Sequence, residues 1–144
     1  MGQPFYEDVH VDDKLPEHVE TVDRTRLFFF SAATYNGHRI HYDPLWARDT
    51  EGLDDILVHG PLQAAIAAAW LRGWAGRLGR LDRIRFEHRG SAFPDSPLHF
   101  AGAVTARRRA GVDALVDISF AERAEDGRLL MPGTATLALP TRSS

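Results

Sequence analysis

Two short segments carry polar groups whose types and spacing suit proton transfer. Residues 36–43 read NGHRIHYD and residues 58–61 read VHGP. A histidine titrates near neutral pH, so His41 is able to take a proton from water and return it. A backbone N–H at the start of a helix stabilises negative charge that develops on an oxygen. Pro61 has no N–H, so that donor is Gly60 or a residue beyond Pro61.

Each of these residues also has a structural interpretation. His41 is either a proton carrier or a hydrogen-bonded histidine that only supports the fold. Gly60 is either a close-approach position for a substrate or a glycine that lets the chain enter a helix. Asn36 followed by Gly37 is a strong turn pair, so Asn36 either holds a water or forms a turn. Asp43 is better explained as a helix N-cap than as a catalyst.

Other chemistry is less well supported. Arg39 faces either a substrate carboxylate, which we favour slightly, or a surface acid. His38, His41 and His59 would make a metal site only with a further ligand, and no carboxylate lies at an obvious spacing to complete it. The chain has no cysteine, which excludes disulfides, thiolate ligands and thiol nucleophiles. We therefore expect neither a metal nor another cofactor.

The first segment requires elements that hold it. Residues 19–24 are expected to form a short strand. Asp23 is suited to cap a helix through RTRLFFFSAATY, and Asp43 followed by Pro44 opens a second, short helix. In the first helix we expect three buried positions, Leu27, Phe28 and Phe30.

The second segment opens a helix that we expect to run from Gly60 to about Gly79. Its first ten residues are almost entirely apolar, which is typical of a buried helix. The chain then changes period, and four strands separated by the turn signals FPDSP, RAG and AEDG predict an antiparallel meander. One buried helix with a long antiparallel sheet is an α+β architecture.

With these motifs, the sequence resembles the MaoC-like, or R-specific hydratase 2, branch of the hot-dog superfamily. The family has a catalytic acid five positions before a catalytic histidine, and a His-Gly pair about 18 residues later opens the central helix. His41 and the pair His59-Gly60 match this pattern, and the resemblance extends from about Val19 to Leu139. It implies a hot-dog fold, in which a curved antiparallel sheet wraps a long central helix. The strings around both motifs resemble 3-hydroxyacyl-thioester dehydratases and mesaconyl-C4-CoA hydratases.

The resemblance implies a hydratase or dehydratase that interconverts an enoyl thioester and a 3-hydroxyacyl thioester of CoA or acyl-carrier protein. His41, Asn36 and Gly60 are then the catalytic candidates. Asn36 departs from the family pattern, because it stands where the family has an aspartate, and an amide cannot exchange a proton. The substrate-binding candidates are Tyr35, His38, Arg39 and His59. Two alternatives remain, an acyl thioesterase on the same fold and a non-catalytic subunit of a heteromeric dehydratase.

Length and charge limit the partners. The chain of 144 residues fits a single domain, residues 1–144. A net charge of −3 argues against nucleic acid, and no apolar run suits a signal peptide or a membrane span, so we expect a cytoplasmic location. Residues 56–109 nevertheless hold 9 bases and 3 acids, either as a solvated surface or as a site for a phosphorylated carrier. Open strand edges predict a homodimer or a higher homo-oligomer built from dimers.

Overall fold

Five antiparallel strands form one curled sheet, which packs against the longest helix. The computed structural model describes residues 2–142. The strands are β1 (His18–Thr21), β2 (Arg80–Phe86), β3 (Pro97–Ala110), β4 (Asp113–Ala124) and β5 (Leu129–Leu139). Their order across the sheet is β1-β3-β4-β5-β2. The architecture is α+β, as the sequence predicts.

The strand order corrects the predicted meander. Strands β3, β4 and β5 are joined by tight hairpins, whose turns hold Gly111 and Gly127 at positive φ as the turn signals predict. Strand β2, however, pairs with β5 instead of β3. The segment that follows β2 crosses the end of the sheet, where Val58 N–H donates to the Ala92 carbonyl. This crossing brings the start of the long helix to the same end of the sheet.

Two shorter helices precede the long one, and both begin at the predicted caps. The helices are α1 (Arg24–Thr34), α2 (Pro44–Glu51) and α3 (Gly60–Ala75). The carboxylate of Asp23 accepts from Arg26 N–H at 2.7 Å, and that of Asp43 accepts from Trp46 N–H at 3.0 Å. Strand β1 starts one residue earlier and ends three residues earlier than predicted, because Asp23 already caps α1.

Burial along α1 differs from the prediction at one position. Leu27 is fully buried and Phe30 is partly buried, but Phe28 is 61% exposed. Leu27 and Ser31 are four residues apart and occupy the buried face of the helix. Because neighbouring residues on a helix point about 100° apart, Phe28 and Phe29 cannot share that face.

Helix α3 ends at Ala75, four residues before the predicted end. Gly76 adopts a φ of 75°, and the side chain of Gln3 occupies the helix end. Its Nε2 donates to the Ala75 carbonyl at 2.9 Å, and its Oε1 accepts from Leu78 N–H at 3.0 Å. These bonds satisfy groups that would otherwise continue the helix.

Only one side of α3 is buried, although the sequence predicted burial all round. The side chains that join the core from α3 are Leu62, Ile66, Ala67, Leu71 and Ala75. The other side exposes small residues, Ala65, Ala69 and Gly73. Alanine is equally compatible with a buried and an exposed position, so hydropathy alone does not separate the two faces of the helix.

Within residues 2–142, no helix is long and apolar enough to cross a membrane. The single domain over residues 1–144 stays a prediction.

Candidate active site

His41 lies in a short 3-10 turn, Arg39–His41, between α1 and α2. The turn is fixed from two sides. The Nδ1 atom of His38 accepts from Ile40 N–H, and the Ile40 carbonyl accepts from Leu57 N–H at 2.8 Å. The ring of His41 is buried, and its Nδ1 lies 2.9 Å from the Leu57 carbonyl oxygen. A carbonyl only accepts, so Nδ1 carries the proton and Nε2 keeps its lone pair.

The surroundings keep the His41 ring neutral. Burial lowers the pKa of His41 below its usual 6.5, the bond to the Leu57 carbonyl partly opposes that shift, and a charge on His38 lowers the pKa further. A neutral imidazole at pH 7 with a free Nε2 is a general base. The histidine identified from the sequence therefore has the tautomer and the charge that proton abstraction requires.

His59 lies directly beside His41, at the N-cap of α3, and it is fully buried. The two imidazole rings are stacked, with 3.7 Å between their centroids and 17° between their planes. The Nε2 atom of His59 lies 2.8 Å from Oγ of Ser31, and the ring also contacts Phe30. Burial and the neighbouring His41 lower the pKa of His59 to about 4, so this ring is neutral as well.

Gly60 supplies the available N–H at the start of α3. The N–H groups of Leu62 and Gln63 both donate to the His59 carbonyl, at 3.0 and 3.1 Å, and Pro61 has none. Of the donors considered from the sequence, Gly60 is thus the candidate left in the first turn. A Cβ at this position would lie 2.8 Å from Nε2 of His88, so only glycine fits without displacing that ring.

Asn36 lies in a turn, which is the alternative that the sequence left open. Its Oδ1 accepts from His38 N–H at 3.1 Å. Asn36 also lines an open pocket of about 360 Å³ with Ser31, whose hydroxyl lies 2.8 Å from Nε2 of His59. Tyr35 lies on the rim of the same pocket and is 99% exposed.

Arg39 is engaged at the surface. Its guanidinium donates to the carboxylate of Asp43 at 2.6 Å and lies 5.4 Å from the centre of the Trp46 ring. This pairing with a surface acid is the alternative that we favoured less. His38 is exposed and 6.3 Å from the His41 ring centre, close enough to affect its charge. Within residues 2–142, no group of three or more His, Asp and Glu side chains is arranged to hold a metal ion.

The basic region divides into paired and unpaired arginines. Those bound to carboxylates are Arg80, Arg89, Arg108 and Arg109. Among the described residues, Arg83 and Arg85 have no carboxylate within 4.0 Å, and they line an open pocket of about 250 Å³ on the sheet. Asp117 also lines that pocket. Arg72 and Arg77 likewise have no carboxylate within 4.0 Å among the described residues, and they line a second open pocket of about 600 Å³, so the basic region offers two pairs of arginines to a phosphate.

Two functional candidates escaped the sequence reasoning. Ser31 lies inside the run FFFSAA. The one sequence signal for it is that a polar residue falls four positions after Leu27, on the buried face of α1. Glu122 on β4 is fully buried with both carboxylate oxygens unbonded by the described residues, and burial raises its pKa to about 7. Nothing in its local sequence, SFAERA, separates it from a surface glutamate.

Known proteins are similar to this chain in sequence and in fold. The family model for hydroxyacyl-thioester dehydratase type 2 matches residues 7–94. A 44-residue stretch is 52% identical to mesaconyl-C(4)-CoA hydratase from Chloroflexus aurantiacus; it covers 31% of this chain but only 16% of that protein.

Two solved structures have nearly the same extent as this chain. An (R)-hydratase from A. caviae involved in PHA biosynthesis superposes with a TM-score of 0.83 at 20% identity, covering 93% of this chain and 99% of that one. The ChsH1-ChsH2 complex from Mycobacterium tuberculosis gives a TM-score of 0.78 at 23% identity, over 90% of this chain and 98% of that one. These likenesses confirm the hot-dog fold. The family model covers more than half of the sequence, and the chain belongs to the hydroxyacyl-thioester dehydratase type 2 family.

Proposed function

We propose that the chain is a hydratase/dehydratase that interconverts an enoyl thioester and a 3-hydroxyacyl thioester by adding or removing water. The observation that carries the proposal is the His41 ring, which is neutral, buried and fixed through Nδ1 to the Leu57 carbonyl. That arrangement leaves Nε2 as a base. Membership of the dehydratase family supports the same chemistry.

In the hydration direction, His41 acts on the attacking water. Its Nε2 takes one proton while the water oxygen forms a bond to C3 of the enoyl thioester. The electron pair of the double bond moves towards the thioester carbonyl. The proton on His41 then returns to C2, which restores the neutral ring and completes the addition of one water. Dehydration follows the same path in reverse.

Gly60 has the complementary role. The thioester oxygen gains negative charge during the addition, and an N–H at the start of a helix stabilises such charge. Asn36 has no proton to exchange, so its role in this proposal is to orient the water through its amide. In this proposal His41 alone moves the proton, where the family pattern has an acid and a histidine.

The carrier is CoA or an acyl-carrier protein. The local identity with mesaconyl-C(4)-CoA hydratase favours CoA, although it covers a small part of that protein. Two pairs of arginines, Arg83 with Arg85 and Arg72 with Arg77, are suited to the phosphates of either carrier, because each pair lines one open pocket and has no carboxylate within 4.0 Å among the described residues.

An assay with crotonyl-CoA tests the proposal. Product mass distinguishes hydration, which adds one water and leaves the thioester intact, from thioester hydrolysis, which releases free CoA thiol. Hydration supports the proposal. Thiol release without hydration would identify a thioesterase, and no reaction with enoyl or hydroxyacyl substrates would favour a non-catalytic subunit.

We also propose a homodimer located in the cytoplasm. Strand β2 pairs with β5 on one side only, which leaves an open edge of seven residues. The heteromeric neighbour ChsH1-ChsH2 favours a second possibility, a pair with a different subunit. Light scattering of the pure protein at micromolar concentration should give twice the 16.1 kDa chain mass. A monomer would contradict the homodimer, and cell fractionation checks the location.

A further inference from the structure

Three buried side chains from separate elements form a continuous row that ends at His41. Ser31 comes from α1, His59 from the N-cap of α3, and His41 from the turn between α1 and α2. The hydroxyl of Ser31 is 2.8 Å from His59 Nε2, and the His59 ring stacks on His41 at 3.7 Å. The proposed reaction gives Ser31 and His59 no step of their own.

His59 is poorly suited to carry a proton itself. It is fully buried, and burial with the neighbouring His41 lowers its pKa to about 4. Its Nε2 is bonded to Ser31, and its Nδ1 is buried with no partner among the described residues. A ring in this setting stays neutral at pH 7.

We propose that Ser31 and His59 are positioning residues for His41: Ser31 fixes the rotation of the His59 ring, and that ring is the surface on which the His41 ring stacks. This inference rests on the proposed function, because it assigns the two residues to the same reaction. In this inference Ser31 acts on the reaction through its contact with the His59 ring.

Two constraints then act on the His41 ring in different directions. The hydrogen bond to the Leu57 carbonyl fixes its orientation within the ring plane, and the stack on His59 fixes the tilt of that plane. Catalysis depends steeply on such placement, because a shift of about 1 Å costs roughly a hundredfold in rate.

Ser31→Ala tests the inference, with Thr34→Ala as the matched control. Both changes delete one hydroxyl from α1, but the Thr34 hydroxyl donates to the Phe30 carbonyl of its own helix. We expect Ser31→Ala to lower kcat for crotonyl-CoA hydration about tenfold with little change in KM, since orientation and not binding is lost. Thr34→Ala should match the parent. A Ser31→Ala enzyme with the parental kcat would overturn the inference.

A readout without substrate separates this inference from the proposed function. NMR titration of the His41 ring measures its pKa in the free protein. Loosening the stack admits water, which relieves the burial that lowers this pKa, so the pKa of His41 should rise towards 6.5 in Ser31→Ala but not in Thr34→Ala. If the parent protein is inactive, the proposed function fails, and the NMR titration still tests whether Ser31 positions the His41 ring. An unchanged titration and an unchanged pH profile would refute the positioning role.

Discussion

Glu122 should make the stability of the protein fall as the pH rises through neutrality. The side chain is fully buried on β4, and its sheet neighbours Phe100 and Met131 are fully buried as well. Burial is the cause that raises the pKa of Glu122 from its ordinary 4.5 to about 7. The folded state therefore holds this proton more tightly than the unfolded chain does.

The sign and size follow from proton linkage. Where the folded state binds more protons, stability falls with rising pH, so the loss begins near pH 4.5 and is nearly complete above pH 7. At about 1.4 kcal/mol for each tenfold change in proton affinity, Glu122 costs the folded state roughly 3 kcal/mol at pH 8. For a chain of this size that corresponds to roughly 6–12 °C in Tm.

Glu122→Gln removes the titration and leaves the volume nearly unchanged. Thermal or denaturant unfolding of parent and variant at pH 5 and pH 8 measures the effect. We expect the variant to gain roughly 2–3 kcal/mol relative to the parent between the two pH values. Glu125→Gln is the control, because Glu125 is exposed and the same substitution there should leave the pH dependence unchanged. A constant difference between Glu122→Gln and the parent across pH would refute the reasoning.

Three further predictions concern the active site and the carrier. Asn36→Asp should keep or raise the hydration rate, because a carboxylate can also accept from His38 N–H; a drop would mean that the Asn36 amide donates to the substrate. Gly60→Ala keeps the N–H, and its Cβ meets only the exposed side chain of His88, which can turn aside, so the rate should fall less than about tenfold; a larger loss would mean that the reaction needs glycine at this position. The KM for crotonyl-CoA should rise with salt in the parent but less in the double variant Arg83→Ala/Arg85→Ala, and equal salt responses would leave these arginines as ordinary surface.

The sequence predicted those features that depend on neighbouring residues. The caps at Asp23 and Asp43 form within one turn of each aspartate, and the hairpin glycines Gly111 and Gly127 act within their own turns. The opening of α3 at Gly60 was predictable for the same reason. Local backbone chemistry decides such features, so no knowledge of distant contacts is needed.

Features that join distant residues were not predictable in the same way. The bond between Ser31 and His59 joins residues 28 positions apart. Strand β2 pairs with β5 and not with β3, the strand that follows it in the sequence. Gln3 ends α3 from 72 positions away. Hydropathy also failed where several apolar residues follow one another, because a helix can bury only part of FFF, and Phe28 remains outside. These outcomes depend on which surfaces meet, which periodicity does not encode.

The rate of the His41→Ala variant tests the central claim most directly. If His41 is the proton carrier, its loss should lower the rate of crotonyl-CoA hydration about a hundredfold or more, the usual contribution of general acid–base catalysis, while the circular dichroism spectrum stays unchanged. His41→Gln should be no faster, because an amide holds water but cannot accept its proton. A correctly folded His41→Ala variant that hydrates crotonyl-CoA as fast as the parent would contradict the account.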